Sequence, residues 1–206
     1  MDEKLKEGLK DAIACNDVDY LNRNRNLYDI DCRFEDEDNN SLLLYAISDK
    51  ESLTYRFFIE NGADMTLINN EGEGIIHSAV YSGDVLRLNF LLDNYTLNLD
   101  VQANDGATAL LVALSLNHYD MAKALIEHGA NVNIGDINHL TPLHIAAQEG
   151  SIEIVSMLVN NNAIIKAKTL KGNYPLALAV NGDHDDIVKY LYGIIYGMPK
   201  NTEELL

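Results

Sequence analysis

TPLHIAAQEGSIEIVSMLV, from Thr141 to Val159, is the stretch on which the rest of the chain aligns. A proline opens one short apolar run, Gly150 interrupts it, and a second amphipathic run follows at helical spacing. The same register recurs as SLLLYAI from Ser41, GIIHSAV from Gly74, TALLVAL from Thr108 and YPLALAV from Tyr174. The fourth residue of each motif is Leu44, His77, Leu111, His144 and Ala177, at separations of 33, 34, 33 and 33 residues. A weaker first copy, EGLKDAIACNDVDYL, places Lys10 in that slot, 34 residues before Leu44. Six units therefore cover almost the whole chain, and each reads as turn, helix, loop, helix.

A fixed period changes what each residue inside it means. Two short helices cannot bury an apolar face alone, but stacked copies create one continuous core. Ala12, Ala46, Ala79, Ala113, Ala146 and Ala179 share one helical position, where a larger side chain would hold neighbouring helices apart. Leu9, Leu43, Ile76, Leu110, Leu143 and Leu176 share a second position and are assigned to packing. The second runs end on Gly or Asn, residues that tolerate the left-handed conformation that closes a helix. Gly and Asn in the polar turns before the first helices supply the positive φ of a tight hairpin turn.

TPLHIAA, the following Gly150 and the ending HGANVN (His128 to Asn133) resemble the ankyrin repeat, whose 33-residue period agrees. The resemblance implies an all-α solenoid of about six helix-loop-helix units with β-hairpin-like finger turns. It divides one domain, 1-206, at approximately 1-35, 36-68, 69-102, 103-135, 136-168 and 169-201. Only Pro142 and Pro175 keep the helix-opening proline, and the third unit carries one additional residue near Asp93 to Thr96. In this family the finger tips and the exposed face of the first helix grip protein partners. Carried over by register, that surface contains Glu37, Asp38, Asn40, Asp49, Glu71, Glu73, Tyr81, Asn104, Asp105, Leu116, Asn138 and Gln148. Tyr81, at the exposed end of a first helix, is the favoured aromatic anchor, whereas Tyr45 sits beside core leucines.

Composition narrows the partner. The 206 residues hold 32 acidic and 15 basic side chains, a formal charge of −17. Phosphate neutralisation needs Lys and Arg, so a nucleic acid is a poor match, as is an anionic lipid surface. Residues 1 to 100 hold 21 acidic and 9 basic groups, against 11 and 6 in the remainder. A basic protein docked across the N-terminal half fits this imbalance; a surface charged only for solubility is the plainer alternative. No apolar stretch is long enough to span a bilayer. The charged opening MDEKLKEGLK lacks a signal peptide's apolar segment, which points to a cytoplasmic protein, or to an effector exported by another route; a monomer is expected. Two cysteines, Cys15 and Cys32, match no disulfide framework or zinc motif and read as reduced, mostly structural thiols.

Catalysis finds little support. No phosphate-cradling glycine loop, nucleophile elbow or metalloprotease motif occurs, and no cofactor is expected. His77 and His144 occupy the TPLH slot, where the family uses the ring to brace finger backbone. His128 lies at a helix end, near carbonyls that a side chain there can cap. Asp183-His184-Asp185-Asp186 is the densest cluster of ligand types, and a metal-dependent enzyme centred on it is the rival from another class. Its place before IVKYLYGIIY reads instead as aspartates stabilising a helix N-terminus. The repeats leave no room in the chain for a separate catalytic domain. The segment Gly197 to Leu206 is expected to be a cap or a loose end. A non-enzymatic binder follows, most concretely an inhibitor or immunity protein that neutralises a basic toxin, or alternatively an adaptor or effector with a second surface on the outer helices.

Overall fold

The structure is a computed structural model that describes residues 2–35 and 38–197. It comprises two compact units, Met1–Asn104 and Asp105–Leu206. The expected cap or loose end falls, after Gly197, outside the described residues.

Unit 1 begins with α1 (Glu3–Ala14), α2 (Val18–Arg23) and a 3₁₀ turn at Arg25–Leu27. A short antiparallel pair, β1 (Arg33–Phe34) and β2 (Asn40–Ser41), then forms the one finger with a true ladder among the described residues, in the register Arg33 to Ser41 and Phe34 to Asn40. It leads into α3 (Leu42–Ser48) and α4 (Tyr55–Glu60), and then α5 (Ile75–Tyr81) and α6 (Val85–Asn94). First helices α3 and α5 pack side by side, and each packs on its own second helix. Ser41 starts α3 by accepting from the Leu44 amide at 3.3 Å, and Asp84 starts α6 by accepting from Leu86 and Arg87 at 3.0 and 3.3 Å.

Unit 2 holds three helix pairs: α7 (Ala109–Ser115) with α8 (Tyr119–Glu127), α9 (Pro142–Glu149) with α10 (Ile152–Asn160), and α11 (Pro175–Asn181) with α12 (Asp185–Tyr196). The first helices α7, α9 and α11 pack in sequence, as do α8, α10 and α12 behind them. Pro142 and Pro175 each occupy the first helical position, where the missing amide costs nothing.

The repeated positions pack as the period requires. Ala12 is 3% exposed and the other five alanines are 0% exposed. Leu9, Leu43, Ile76, Leu110 and Leu143 are buried as well. Leu176 departs from its assignment to the core: it is only half-buried, since α11 is the last of the first helices and nothing described packs against its far side. Two other expectations need correction. Positive φ closes α4, α8 and α10, at Gly62, Gly129 and Asn162, but α6 runs straight into extended Tyr95, where the third unit's additional residue lies. Cys15 is exposed at the end of α1 and packs no core, while burial raises the pKa of half-buried Cys32.

Finger turns obey one backbone rule. The register position occupied by Asn39, Gly72, Gly106, His139 and Gly172 has φ of 58°, 78°, 80°, 59° and 86°. Successive tips are tied by backbone hydrogen bonds. In unit 1 the Asn70 amide donates to the Asp38 carbonyl at 2.9 Å, and that of Asn104 to Glu71 at 2.7 Å. In unit 2 Ile137 donates to Asp105, and Leu170 to Asn138, each at 2.9 Å.

Candidate functional site

The finger histidines act as braces. The His144 Nδ1 accepts from the Thr141 amide at 3.2 Å, and its Nε2 donates to the Asn173 carbonyl at 3.1 Å, linking the start of α9 to the next finger. Burial holds its pKa below the ordinary value. The His77 Nδ1 accepts from the Gly74 amide at 3.3 Å in the same way. His128 lies 2.8 Å from the Ala124 carbonyl through Nδ1, as a helix-end residue should.

In unit 1 the structure joins three of the sequence-selected residues into one chain of contacts. The Tyr81 hydroxyl donates to Glu73 Oε1 at 2.6 Å. Glu73 Oε2 accepts from the Asn69 amide group at 3.1 Å, and the same Nδ2 lies 3.3 Å from Asn40 Oδ1. Asn69 Oδ1 also accepts from the Glu71 and Glu73 amides, at 3.0 and 2.9 Å. Asn69 is therefore the hub of this site, although the sequence marked it only as a turn residue. The ring of Tyr81 stays 46% exposed at the end of α5 with its hydroxyl fixed, a preorganised aromatic surface. Tyr45 instead packs edge-on against Phe34, with ring centroids 5.1 Å apart.

The other selected positions divide by what their polar groups already do. Asp38, Glu71 and Asn104 are exposed at the tips of unit 1, and Glu37 lies outside the described residues. Asn104 is spent in part on the ladder, donating from Nδ2 to the Asn70 carbonyl at 2.7 Å. Asp49 lies at the opposite end of α3 from the finger, half-buried, with Oδ1 accepting from the Glu51 amide at 3.0 Å. In unit 2, Asp105 is exposed and Leu116 is exposed at the end of α7. Asn138 and Gln148 come together along a shallow groove of about 260 Å³ that also contains Asp136 and Lys171.

Sequence inspection missed Arg87 entirely. Its side chain is 1% exposed, and Nη1 donates to the carbonyls of Ile47 and Asp49 at 2.6 Å each. Nη2 donates to the Lys50 and Ser52 carbonyls at 2.8 Å each, while the guanidinium stacks 4.9 Å from the Tyr55 ring centre. The Asp84 carboxylate, 3.7 Å from Nε, is its counter-ion. The cluster at Asp183 to Asp186 takes a different shape from a ligand set. His184 is the N-cap of α12 but makes no side-chain cap bond, because its ring turns to the Gln148 carbonyl at 2.8 Å. The aspartates serve the helix from inside its first turn, at Asp185 and Asp186, rather than as the cap. Among the described residues no three His, Cys, Asp or Glu side chains converge as a metal site requires, and no helix is long and apolar enough to cross a membrane.

The comparisons agree with this architecture. An ankyrin repeat protein of Acanthamoeba polyphaga mimivirus is 26% identical over 150 residues, 72% of this chain and 20% of its own. The ankyrin repeat and SOCS box protein 11 of Pongo abelii is 35% identical over 50% of this chain and 32% of its own. A palmitoyltransferase of Lachancea kluyveri is 28% identical over 71% of this chain, but only 20% of its own length is matched. The chain thus spans at most about a third of these relatives. A family model described as ankyrin repeats in three copies matches residues 43–136 and 134–203, and with the 33-residue period and the braced fingers it shows that the chain belongs to the ankyrin-repeat family.

Proposed function

We propose that the chain is a non-enzymatic module that binds a basic protein on the finger tips and first-helix ends of unit 1, and acts by masking that protein. Ankyrin repeats are in general protein-protein interaction modules, which supports the class. The observation that carries the location is the Tyr81–Glu73–Asn69–Asn40 chain: an exposed aromatic ring held in one orientation in the unit whose finger tips expose Glu71 and Asp38. Aromatic residues held rigidly at low entropic cost dominate many interfaces, and the neighbouring carboxylates favour a cationic partner. An inhibitor or immunity role against a basic toxin is the most concrete form of this reading. It is tested by capturing the partner with the wild-type chain, identifying it, and titrating it by calorimetry against a Tyr81→Ala, Glu71→Lys double variant. The variant is expected to bind at least about tenfold more weakly, a loss of ~1.4 kcal/mol. Equal affinity from a folded variant overturns the location.

A further inference from the structure

One surface position breaks the repeat pattern in unit 1. Aligned on the period, it carries an acid in four units, Asp19, Asp120, Glu153 and Asp186, each in the first turn of a second helix. Negative charge there is stabilised by the helix dipole. The second and third units place Leu53 and Leu86 at this position instead, 62% and 75% exposed. Leucine forgoes the helix-end electrostatics and leaves apolar surface in water, so folding gains nothing from either exchange.

The neighbouring position departs in the third unit as well. It holds buried Met121, Ile154 and Ile187 in later units, but Arg87 here. The four carbonyl contacts of Arg87 tie residues 47–52, which end beside Leu53, to the helical turn that carries Leu86. Asn16 extends the same edge: its Nδ2 donates to the Glu51 carbonyl at 3.0 Å, its Oδ1 accepts from the Leu53 amide, and exposed Val18 follows two residues later. The apolar line is thus fixed in place by a buried cation and a bridging amide. Exposed Asp17, Asp19 and Glu51 stand around it against Lys50 and Arg56, in the half of the chain with the larger acidic excess.

We propose that Val18, Leu53 and Leu86 form a second docking surface, at the opposite end of the first helices from the fingers. Its occupant is a protein segment that sets apolar side chains on the leucines and flanking Lys or Arg against Asp19 and Glu51. This surface stands independently of the finger site.

The test uses the full chain and an 18-residue peptide of leucine and lysine at helical spacing as the probe. Asp replaces both leucines in a Leu53→Asp, Leu86→Asp double variant, the residue found at this position in the first, fourth and sixth units. The wild type is expected to bind the peptide, with amide shifts at residues 50–56 and 84–88. The variant is expected to bind at least about tenfold more weakly, although its two added negative charges would strengthen a purely ionic attachment. Unchanged or tighter binding by the variant, or shifts confined to the fingers, overturns the proposal. So does wild-type self-association in sedimentation that the variant loses, which would assign the patch to a second copy. A Leu53→Ser, Leu86→Ser variant gives the same comparison should the aspartates disturb folding.

Discussion

Arg87 shows what one residue does in a repeat that otherwise relies on apolar contact. Its guanidinium supplies four hydrogen bonds to carbonyls at and beyond the end of α3, those to Ile47 and Ser52 buried. Arg87→Met keeps the apolar volume that Met121 offers in the next repeat, yet removes all four bonds and leaves the buried Ile47 and Ser52 carbonyls without this donor. Unit 1 should lose about 3 kcal/mol, within the range for removing one partner of a buried charged network, and urea denaturation measures it. The role was invisible in the sequence because its partners are backbone carbonyls 35 to 40 residues away, which no side-chain type announces. His144 was legible, because the motif places it at a helix start. Its sign of pH dependence follows from burial. The folded pKa lies below the ordinary value, so the unfolded chain takes up the proton first, and stability is lost as pH falls through about 6.5 toward the folded value. Wild type should therefore lose more stability than His144→Gln between pH 7 and pH 5, and equal losses would contradict the assignment.

At the scale of the element, the finger turns carry the clearest rule and the clearest exception. Four of five described tips meet the positive-φ demand with Gly or Asn, and the fifth does so with His139 at φ 59°. An L side chain with a Cβ is disfavoured there, so His139→Gly should stabilise unit 2 by about 0.5–1 kcal/mol, read as a raised denaturation midpoint. Gly106→Ala should do the reverse by more than about 1 kcal/mol, because its Cβ would meet the Ile137 amide nitrogen at 2.8 Å while φ stays at 80°. The turns could be placed from Gly and Asn in the sequence, but their cross-links could not. Asp38, Glu71, Asp105 and Asn138 looked like tip residues open to a partner, whereas each also lends its carbonyl to the ladder. Glu73 and Asn40 likewise serve the Asn69 hub, so their side chains orient Tyr81 as well as face outward. The end of α6 was misread for a local reason: Asn94 stays helical and the additional residue lets Tyr95 extend without a left-handed cap.

For the whole molecule, the period was the strongest signal, because six alanines at one register have a single geometric use and all six are buried. The exposed finger tips were legible as a region, since register alone selects them, and which of them are tied down was not, since that depends on bonds between successive fingers. The repeats should also differ in local stability. Units with the weakest match to the motif open first in such arrays, so hydrogen exchange should be faster over residues 1 to 35 than over 136 to 168. Uniform protection would contradict that order. The most direct test of the central claim is site-specific photo-crosslinking to the captured partner. A benzoylphenylalanine replaces Tyr81 in one protein and exposed Asn160, at the end of α10, in another. Adducts with the partner from position 81 and none from 160 are predicted; adducts from position 160 alone would contradict binding through the fingers.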